Sequence, residues 1–191
     1  FKLLPPIGDM ISRSGTPYPI RSVRVEDLLV REPVRLELTR IKARLEGKIV
    51  LITGAGGSIG SELARQIGEF APKKLILLDR SETDLFKIDR ELADRFPALD
   101  RVAVVGDILD VGRLREIFLA HRPHSAFHAA AFKHVPMMES NCFQAVANNI
   151  FGTYNVALIA RQHEAEDFVL ISSDKAVNPT SIMGVTKRVA E

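Results

Sequence analysis

The sequence predicts an α/β fold in which a doubly wound parallel sheet occupies residues 47–191. Short apolar runs alternate with amphipathic segments from Gly47 onward, a pattern typical of parallel strands covered by helices on both faces. The first strand leads into a glycine-rich turn, TGAGGSIG, at residues 53–60, and the second ends in an acidic residue, Asp79. We therefore expect the strand order 3-2-1-4-5, in an architecture that is truncated at the carboxyl terminus.

Residues 1–46 differ from the rest of the chain. Prolines interrupt them, and we predict only a short strand at residues 21–25 and an amphipathic helix around Leu38, Ile41 and Leu45. We interpret residues 1–46 as the end of an upstream domain plus a linker. Because the chain starts at Phe1 and stops inside a helical pattern, we expect it to be part of a longer protein.

The remaining elements follow from hydrophobic periodicity. We predict strands at residues 49–53, 75–79, 102–106, 126–130 and 168–172. The helices between them are predicted at residues 58–70, 82–95, 111–121 and 142–161, and a last one begins near Ile182. In the predicted order, the carboxyl ends of strands 1, 4 and 5 border one crevice, where we expect the chemistry to occur.

The glycine spacing of the first turn predicts a phosphate-binding loop. Gly54 lets the chain leave the strand, Gly57 lets backbone N–H groups approach a diphosphate, and Gly60 lets the next helix pack closely. Ser58 and Ile59 begin that helix, whose N-terminus attracts anions. Strand, glycine turn, helix, strand and acid in this order predict that residues 47–191 form an NAD(P)-binding domain of the Rossmann type.

The end of strand 2 bears on the choice of cofactor. The Asp79 carboxylate is placed to accept hydrogen bonds from the adenosine ribose and would repel a 2′-phosphate, which favours NAD. Arg80 and Ser81 follow directly and could instead accept the 2′-phosphate of NADP. We expect NAD, with NADP as the alternative.

The next two strand ends supply further candidates. Asp107 could hydrogen-bond the adenine amine while Ile108 packs on the ring, although Asp107 could equally cap the helix starting at residue 111. Ala129 and Ala130 would let a flat cofactor approach the backbone. Lys133 could contact an anionic substrate or be an ordinary surface lysine. The spacing of the histidines at 128 and 134 suits no metal site, and we predict none.

Composition excludes several classes of protein. The 191 residues are 46% hydrophobic and carry 26 basic against 24 acidic residues, which gives no reason to expect a nucleic-acid partner. The single cysteine, Cys142, fits a reducing compartment. No apolar run approaches the roughly twenty residues that span a bilayer, so we expect this segment to be soluble.

Three segments carry a resemblance: HAAAFKHVPMME at 128–139, SSDKAVNPT at 172–180 and MGVTKR at 183–188. Together with the glycine turn they resemble the extended short-chain dehydrogenase/reductase superfamily. Within it, residues 47–191 look like the CapD-like nucleotide-sugar 4,6-dehydratases of polysaccharide biosynthesis. The resemblance implies a hydro-lyase that converts UDP-N-acetylglucosamine to a UDP-4-keto-6-deoxy sugar by NAD-dependent internal hydride transfer and loss of water.

The same resemblance implies roles for individual residues. Asp174 is the general acid, Lys175 the general base, and Lys187 holds the nicotinamide ribose. Ser172, beside the cofactor, or Ser173 binds the C4 oxygen of the sugar. Asn178 belongs to the substrate-binding segment. Met183 occupies the catalytic position where the superfamily usually has tyrosine, and a thioether cannot act as an acid or base.

Two alternatives and a wider context stay open. A nucleotide-sugar 4-epimerase would use the same cofactor without elimination, and a non-catalytic dinucleotide-binding module would bind NAD without turnover. The resemblance also implies that the parent protein has an upstream membrane domain, lies in the inner membrane with this domain on the cytoplasmic side, and forms a homo-oligomer. Residues 21–34 resemble the end of the domain that precedes the dehydratase in this family.

Overall fold

The computed structural model describes residues 37–191 and two short strands, β1 (Lys2–Leu3) and β2 (Arg21–Ser22), which pair antiparallel. The chain divides into two compact units, residues 1–38 and residues 39–191. Of the strand predicted at 21–25, positions 23–25 lie outside the described residues, as does most of the segment that resembles an upstream domain. Helix α1 (Leu38–Leu45) occurs where the amphipathic pattern predicts it and buries Leu45.

Five parallel strands form the sheet of the second unit. They are β3 (Ile49–Thr53), β4 (Lys74–Asp79), β5 (Arg101–Val105), β6 (Ser125–His128) and β7 (Asp167–Leu170). Their spatial order is β5-β4-β3-β6-β7, with every neighbouring pair parallel. This arrangement confirms the predicted order 3-2-1-4-5.

The helices alternate with these strands along the chain. They are α2 (Ser58–Glu69), α3 (Glu82–Arg95), α4 (Val111–His121), α5 (Val135–Glu139), α6 (Cys142–Val146), α7 (Thr153–Gln162) and α8 (Ile182–Ala190). A π-helical turn spans Ala147–Gly152, and a 3₁₀ turn spans Asp174–Ala176. Among the described residues, no helix is both long and apolar enough to cross a membrane.

Alternating strand residues supply two separate cores, one on each face of the sheet. Leu51 and Ile76 pack on one face with Phe118 of α4 and Ile159 of α7. Their chain neighbours, including Val50 and Ile52, pack on the other face with residues of α2 and α3. The period of two along each strand therefore produces the doubly wound architecture.

The structure corrects some predicted boundaries. The helix predicted at 142–161 is a continuous helical run from 142 to 162 in which a π-helical turn separates α6 from α7. Buried side-chain hydrogen bonds of Asn149 and Thr153 lie at this turn. Helix α5, with Pro136 in its first turn, was not predicted. Strands β6 and β7 end two residues earlier than predicted, and the chain beyond them forms the loops of the site.

Candidate active site

The glycine turn joins the end of β3 to α2 and is sterically tight. Gly54 has a φ of +69°, and a Cβ at this position would lie 2.7 Å from the backbone nitrogen of Ala130. A Cβ at Gly60 would collide with the carbonyl oxygen of Gly54, whereas one at Gly57 would lie 3.3 Å from that oxygen. The turn therefore packs too closely for side chains at its first and last glycines.

Helix α2 begins at this turn without a side-chain cap. Ser58 and Ile59, its first residues, are exposed, so the helix start is accessible to an anion. The Lys133 ammonium donates to the Ser58 hydroxyl at 3.2 Å. The structure thus places this lysine beside the predicted phosphate turn and adds a positive charge where a diphosphate would lie.

The carboxylate of Asp79 is fixed by the backbone. The N–H of Gly56 donates to Asp79 Oδ2 at 2.9 Å, and the N–H of Ser81 donates to Oδ1 at 2.8 Å. Each carboxylate oxygen keeps a second lone pair that can accept from a ribose hydroxyl. The acid at the end of β4 is therefore held in place by the protein's own backbone.

One cavity brings together the predicted adenosine-binding residues. It is lined by Gly54, Leu78, Asp79, Arg80, Gly106, Asp107, Ile108, Ala130, Ala131, Phe132 and Asn148. Ala129 lies just outside this lining, and its N–H continues the β3–β6 ladder by donating to the Thr53 carbonyl at 3.0 Å. The glycine turn, the acid and the alanine-rich loop thus border the same space.

Asp107 does not cap α4, so that alternative is wrong. The cap is Asp110, whose Oδ1 accepts from the N–H of Arg113 at 2.9 Å. Asp107 Oδ1 accepts instead from the N–H of Leu109 at 2.9 Å, which orders the turn beside the cavity. Ile108 is buried against the core while also lining the cavity.

The segment after β7 forms a hydrogen-bonded turn. The Ser173 hydroxyl donates to Asp174 Oδ1 at 3.0 Å, and the Lys175 ammonium lies 3.3 Å from the same oxygen. The side chains of Asp174 and Lys175 are 84% and 52% exposed. Hydrogen bonds from Ser173 and Lys175 lower the pKa of Asp174, so the free domain holds this pair as an ion pair.

Lys187 lies at the same strand end but is buried. Its ammonium donates to the carbonyl oxygen of Ile171 at 2.6 Å, and burial lowers its pKa. Ser172 donates to the carboxylate of Glu191. Asn178 is exposed and has a φ of +48°, a left-handed conformation that asparagine adopts more readily than most residues.

Met183 has a packing role in this structure. It is 2% exposed and forms an apolar cluster with Met138 and Ala145, against which Phe132 packs. The residue at the superfamily's usual tyrosine position therefore joins α5, α6 and α8 and offers no acid or base to the crevice.

A buried polar network behind the site was not predicted. The Thr53 and Thr153 hydroxyls lie 2.6 and 2.9 Å from the two ring nitrogens of His128, and Thr153 donates to the Asn149 carbonyl at 2.7 Å. His128 is 2% exposed, and burial, with a smaller effect of Lys187, lowers its pKa to about 4. The histidine that suited no metal site is thus a neutral structural residue.

Asn149, in the π-helical turn, connects the two halves of the site. Its Oδ1 accepts from the Phe132 N–H at 2.8 Å, and its Nδ2 donates to the Phe132 carbonyl and to Thr186 Oγ1, both at 3.0 Å. Two consecutive asparagines at 148–149 in a predicted helix are the sequence feature that could have indicated this network, because buried amide side chains need specific hydrogen-bond partners. Asn149 therefore joins the cavity wall to the helix that carries Lys187.

The fold and this site define a Rossmann-type protein with a cradle for a dinucleotide and charged groups at the neighbouring strand end. Residues 50–191 match the family model described as Polysaccharide biosynthesis protein (Polysacc_synt_2), and the chain belongs to that family. It is 48% identical over 191 residues to the probable polysaccharide biosynthesis protein EpsC of Bacillus subtilis, covering 100% of this chain. It is 45% identical over 189 residues to the capsular polysaccharide biosynthesis protein CapD of Staphylococcus aureus, covering 98%. The chain spans 32% of the length of each relative.

More distant relatives have named activities. An inverting UDP-N-acetylglucosamine 4,6-dehydratase of Campylobacter jejuni is 33% identical over 145 residues, covering 75% of this chain and 42% of the relative. A UDP-glucose 4-epimerase of Rickettsia rickettsii is 34% identical over 146 residues, with the same two coverages. In both cases the match covers less than half of the relative's length.

Solved structures share the fold. Pen from Bacillus thuringiensis superposes with a TM-score of 0.71 at 34% identity, covering 77% of this chain and 45% of that one. The Bordetella bronchiseptica enzyme WbmG, solved in complex with NAD, has a TM-score of 0.64 at 20% identity, covering 76% and 48%. At this low identity, WbmG supports the architecture alone.

Proposed function

We propose that this chain is the dinucleotide-binding part of a nucleotide-sugar 4,6-dehydratase that acts on UDP-N-acetylglucosamine in polysaccharide biosynthesis. The observation that carries the proposal is the adjacent Asp174–Lys175 pair beyond β7, where the buried Lys187 also bonds the Ile171 carbonyl. Asn149 connects α8, the helix that carries Lys187, to the dinucleotide cavity through Thr186 and Phe132. The named dehydratase relative supports the same reaction.

The described residues fit a dinucleotide. The tight glycine turn, the oriented Asp79 carboxylate and the cavity between Asp107 and Ala130 provide places for the diphosphate, ribose and adenine. NAD would accept the hydride from C4 of the sugar while the C4 hydroxyl gives up its proton to solvent, and the same hydride would return to C6. Lys187, held by the Ile171 carbonyl, would orient the nicotinamide ribose.

Asp174 and Lys175 would carry the proton transfers. Lys175 takes the C5 proton, which the C4 ketone makes acidic, and Asp174 gives a proton to the C6 hydroxyl so that it leaves as water. This requires a neutral lysine and a protonated aspartic acid. One proton moving from Lys175 to Asp174 converts the ion pair into that form, and a bound sugar that excludes water favours the uncharged form.

The direct test uses the full-length protein with UDP-N-acetylglucosamine and NAD in deuterated water. We expect a UDP-4-keto-6-deoxy sugar with deuterium at C5, identified by mass spectrometry and NMR. A product inverted at C4 that keeps its C6 hydroxyl and C5 hydrogen would identify the epimerase, which the Rickettsia relative favours. NAD binding without any product would favour the non-catalytic module.

We also propose the wider context that the family resemblance implies. The parent protein would carry a membrane domain ahead of this one, with the present domain on the cytoplasmic side of the inner membrane, and would form a homo-oligomer. Protease protection in inside-out and right-side-out vesicles tests the orientation, and light scattering of the detergent-solubilised parent tests the oligomer. NAD is the proposed cofactor, with NADP as the alternative.

A further inference from the structure

Arg80 lies where it could decide between the two cofactors. It follows Asp79 directly, and both residues line the dinucleotide cavity. An arginine near the ribose-binding acid is the group that accommodates the 2′-phosphate of NADP in Rossmann domains. In this structure the guanidinium carbon lies 4.4 Å from the centroid of the Phe132 ring, which lines the same cavity.

Phe132 is a fixed platform for that guanidinium. Its N–H and carbonyl are both bonded to the side chain of Asn149, which is fully buried and anchored to Thr186. Its ring packs against the apolar cluster that contains Met138 and Met183. The hydrogen bonds from Asn149 and the apolar cluster hold Phe132 in place. If the Arg80 guanidinium moves away from the ring, it therefore loses the stacking contact.

The other groups at the end of β4 are already engaged. Two backbone N–H groups hold the Asp79 carboxylate in place. Its negative charge would repel a 2′-phosphate bound beside it. The Ser81 hydroxyl donates to Asp84 Oδ2 at 2.8 Å and caps α3. With Ser81 occupied in this way, Arg80 is the neighbouring group that could recognise a 2′-phosphate.

We propose that Phe132 is a specificity-determining residue that holds Arg80 away from the 2′ position and so keeps the site selective for NAD over NADP. The inference rests on the dinucleotide binding proposed above. A guanidinium–ring contact corresponds to about 2- to 30-fold in an equilibrium constant, which sets the size of the expected effect.

The test is a double-mutant cycle on the full-length protein. Dissociation constants for NAD and for NADP are measured by calorimetry for the wild type, Phe132→Leu, Arg80→Ala and the double variant. We expect Phe132→Leu to lower the ratio of the NADP constant to the NAD constant by about 2- to 30-fold, mainly by tightening NADP. In the Arg80→Ala background the same change should leave the ratio unaltered.

Phe132→Tyr is the matched control, because it keeps an aromatic face and should keep the wild-type ratio. Phe132→Met provides an independent loss of the ring if Phe132→Leu does not fold. The role of Phe132 would be overturned if the ratio were unchanged in the ring-loss variants, or if it changed equally in the Arg80→Ala background. Either result would leave the proposed function intact. Failure of the wild type to bind either dinucleotide would overturn the site itself and this inference with it.

Discussion

The Nε2–H of His128 donates to the Thr153 hydroxyl at 2.9 Å, and the other hydrogen bonds of the network fix this direction. Thr153 uses its single proton on the carbonyl of Asn149 and so can only accept from the ring. Nδ1 is therefore the acceptor for the Thr53 hydroxyl at 2.6 Å. The neutral Nε2–H tautomer thus connects the end of β3 to the π-helical turn that carries Asn149.

Removing the Thr153 hydroxyl should destabilise the domain. In Thr153→Val the buried His128 Nε2–H loses its acceptor, and we expect the free energy of unfolding to fall by about 1–3 kcal/mol. Thr153→Ser keeps the hydroxyl and should cost about 1 kcal/mol or less. Urea denaturation measures both variants, and equal losses would contradict the role given to this hydroxyl.

The same histidine should make stability depend on pH. Its pKa is about 4 in the folded domain and ordinarily 6.5, so the unfolded chain binds the proton more readily between these values. The stabilisation is complete above pH 6.5 and is lost as pH falls towards 4, by about 3 kcal/mol. Urea unfolding at pH 7 and at pH 4.5 measures the loss. His128→Gln should show a flatter dependence in this window, and an unchanged slope would assign the effect to other groups.

Two glycines with the same φ allow the glycine turn to be tested. Gly47 and Gly54 both have a φ of +69°, but a Cβ at Gly47 has no atom within 4 Å whereas one at Gly54 meets the backbone of Ala130. We expect Gly54→Ala to lower the free energy of unfolding by about 1–3 kcal/mol more than Gly47→Ala, and to weaken NAD binding. Denaturation and calorimetry on both variants check this. Equal effects would mean that the turn tolerates a side chain.

Lys175 should be required for proton abstraction and dispensable for cofactor binding. In the full-length protein, we expect Lys175→Ala to abolish incorporation of deuterium at C5 while NAD still binds. Lys42→Ala removes the same charge from an exposed pair between Lys42 of α1 and Glu46, the residue after that helix, and should behave as the wild type. NMR of the product and calorimetry with NAD give the two readouts, and normal dehydration by Lys175→Ala would remove it from the base role.

The sequence predicted those parts of the fold that depend on local pattern. Residues 49–53, 82–95 and 111–121 form β3, α3 and α4 with the predicted bounds, because a buried β-branched run forms the strand and hydrophobic periodicity marks the helices. The glycine turn and the acid at the end of β4 were also identified, since their spacing along the chain is typical of a dinucleotide-binding unit.

The parts that were missed depend on contacts between distant residues. The Arg80–Phe132 stack joins residues 52 positions apart, and Asn149 reaches Thr186 across 37 positions. No local pattern encodes such pairs. Met183 could be placed by resemblance, but its burial with Met138 and Ala145 follows from how α5, α6 and α8 pack together.

The Asp174–Lys175 pair has a consequence for the thermodynamics of sugar binding. The ion pair of the free domain and the neutral pair needed for chemistry contain the same number of protons. Formation of the reactive arrangement therefore exchanges no proton with the solvent at this pair. Near neutral pH, this pair should then contribute no difference to the enthalpy of sugar binding between buffers with different heats of ionisation.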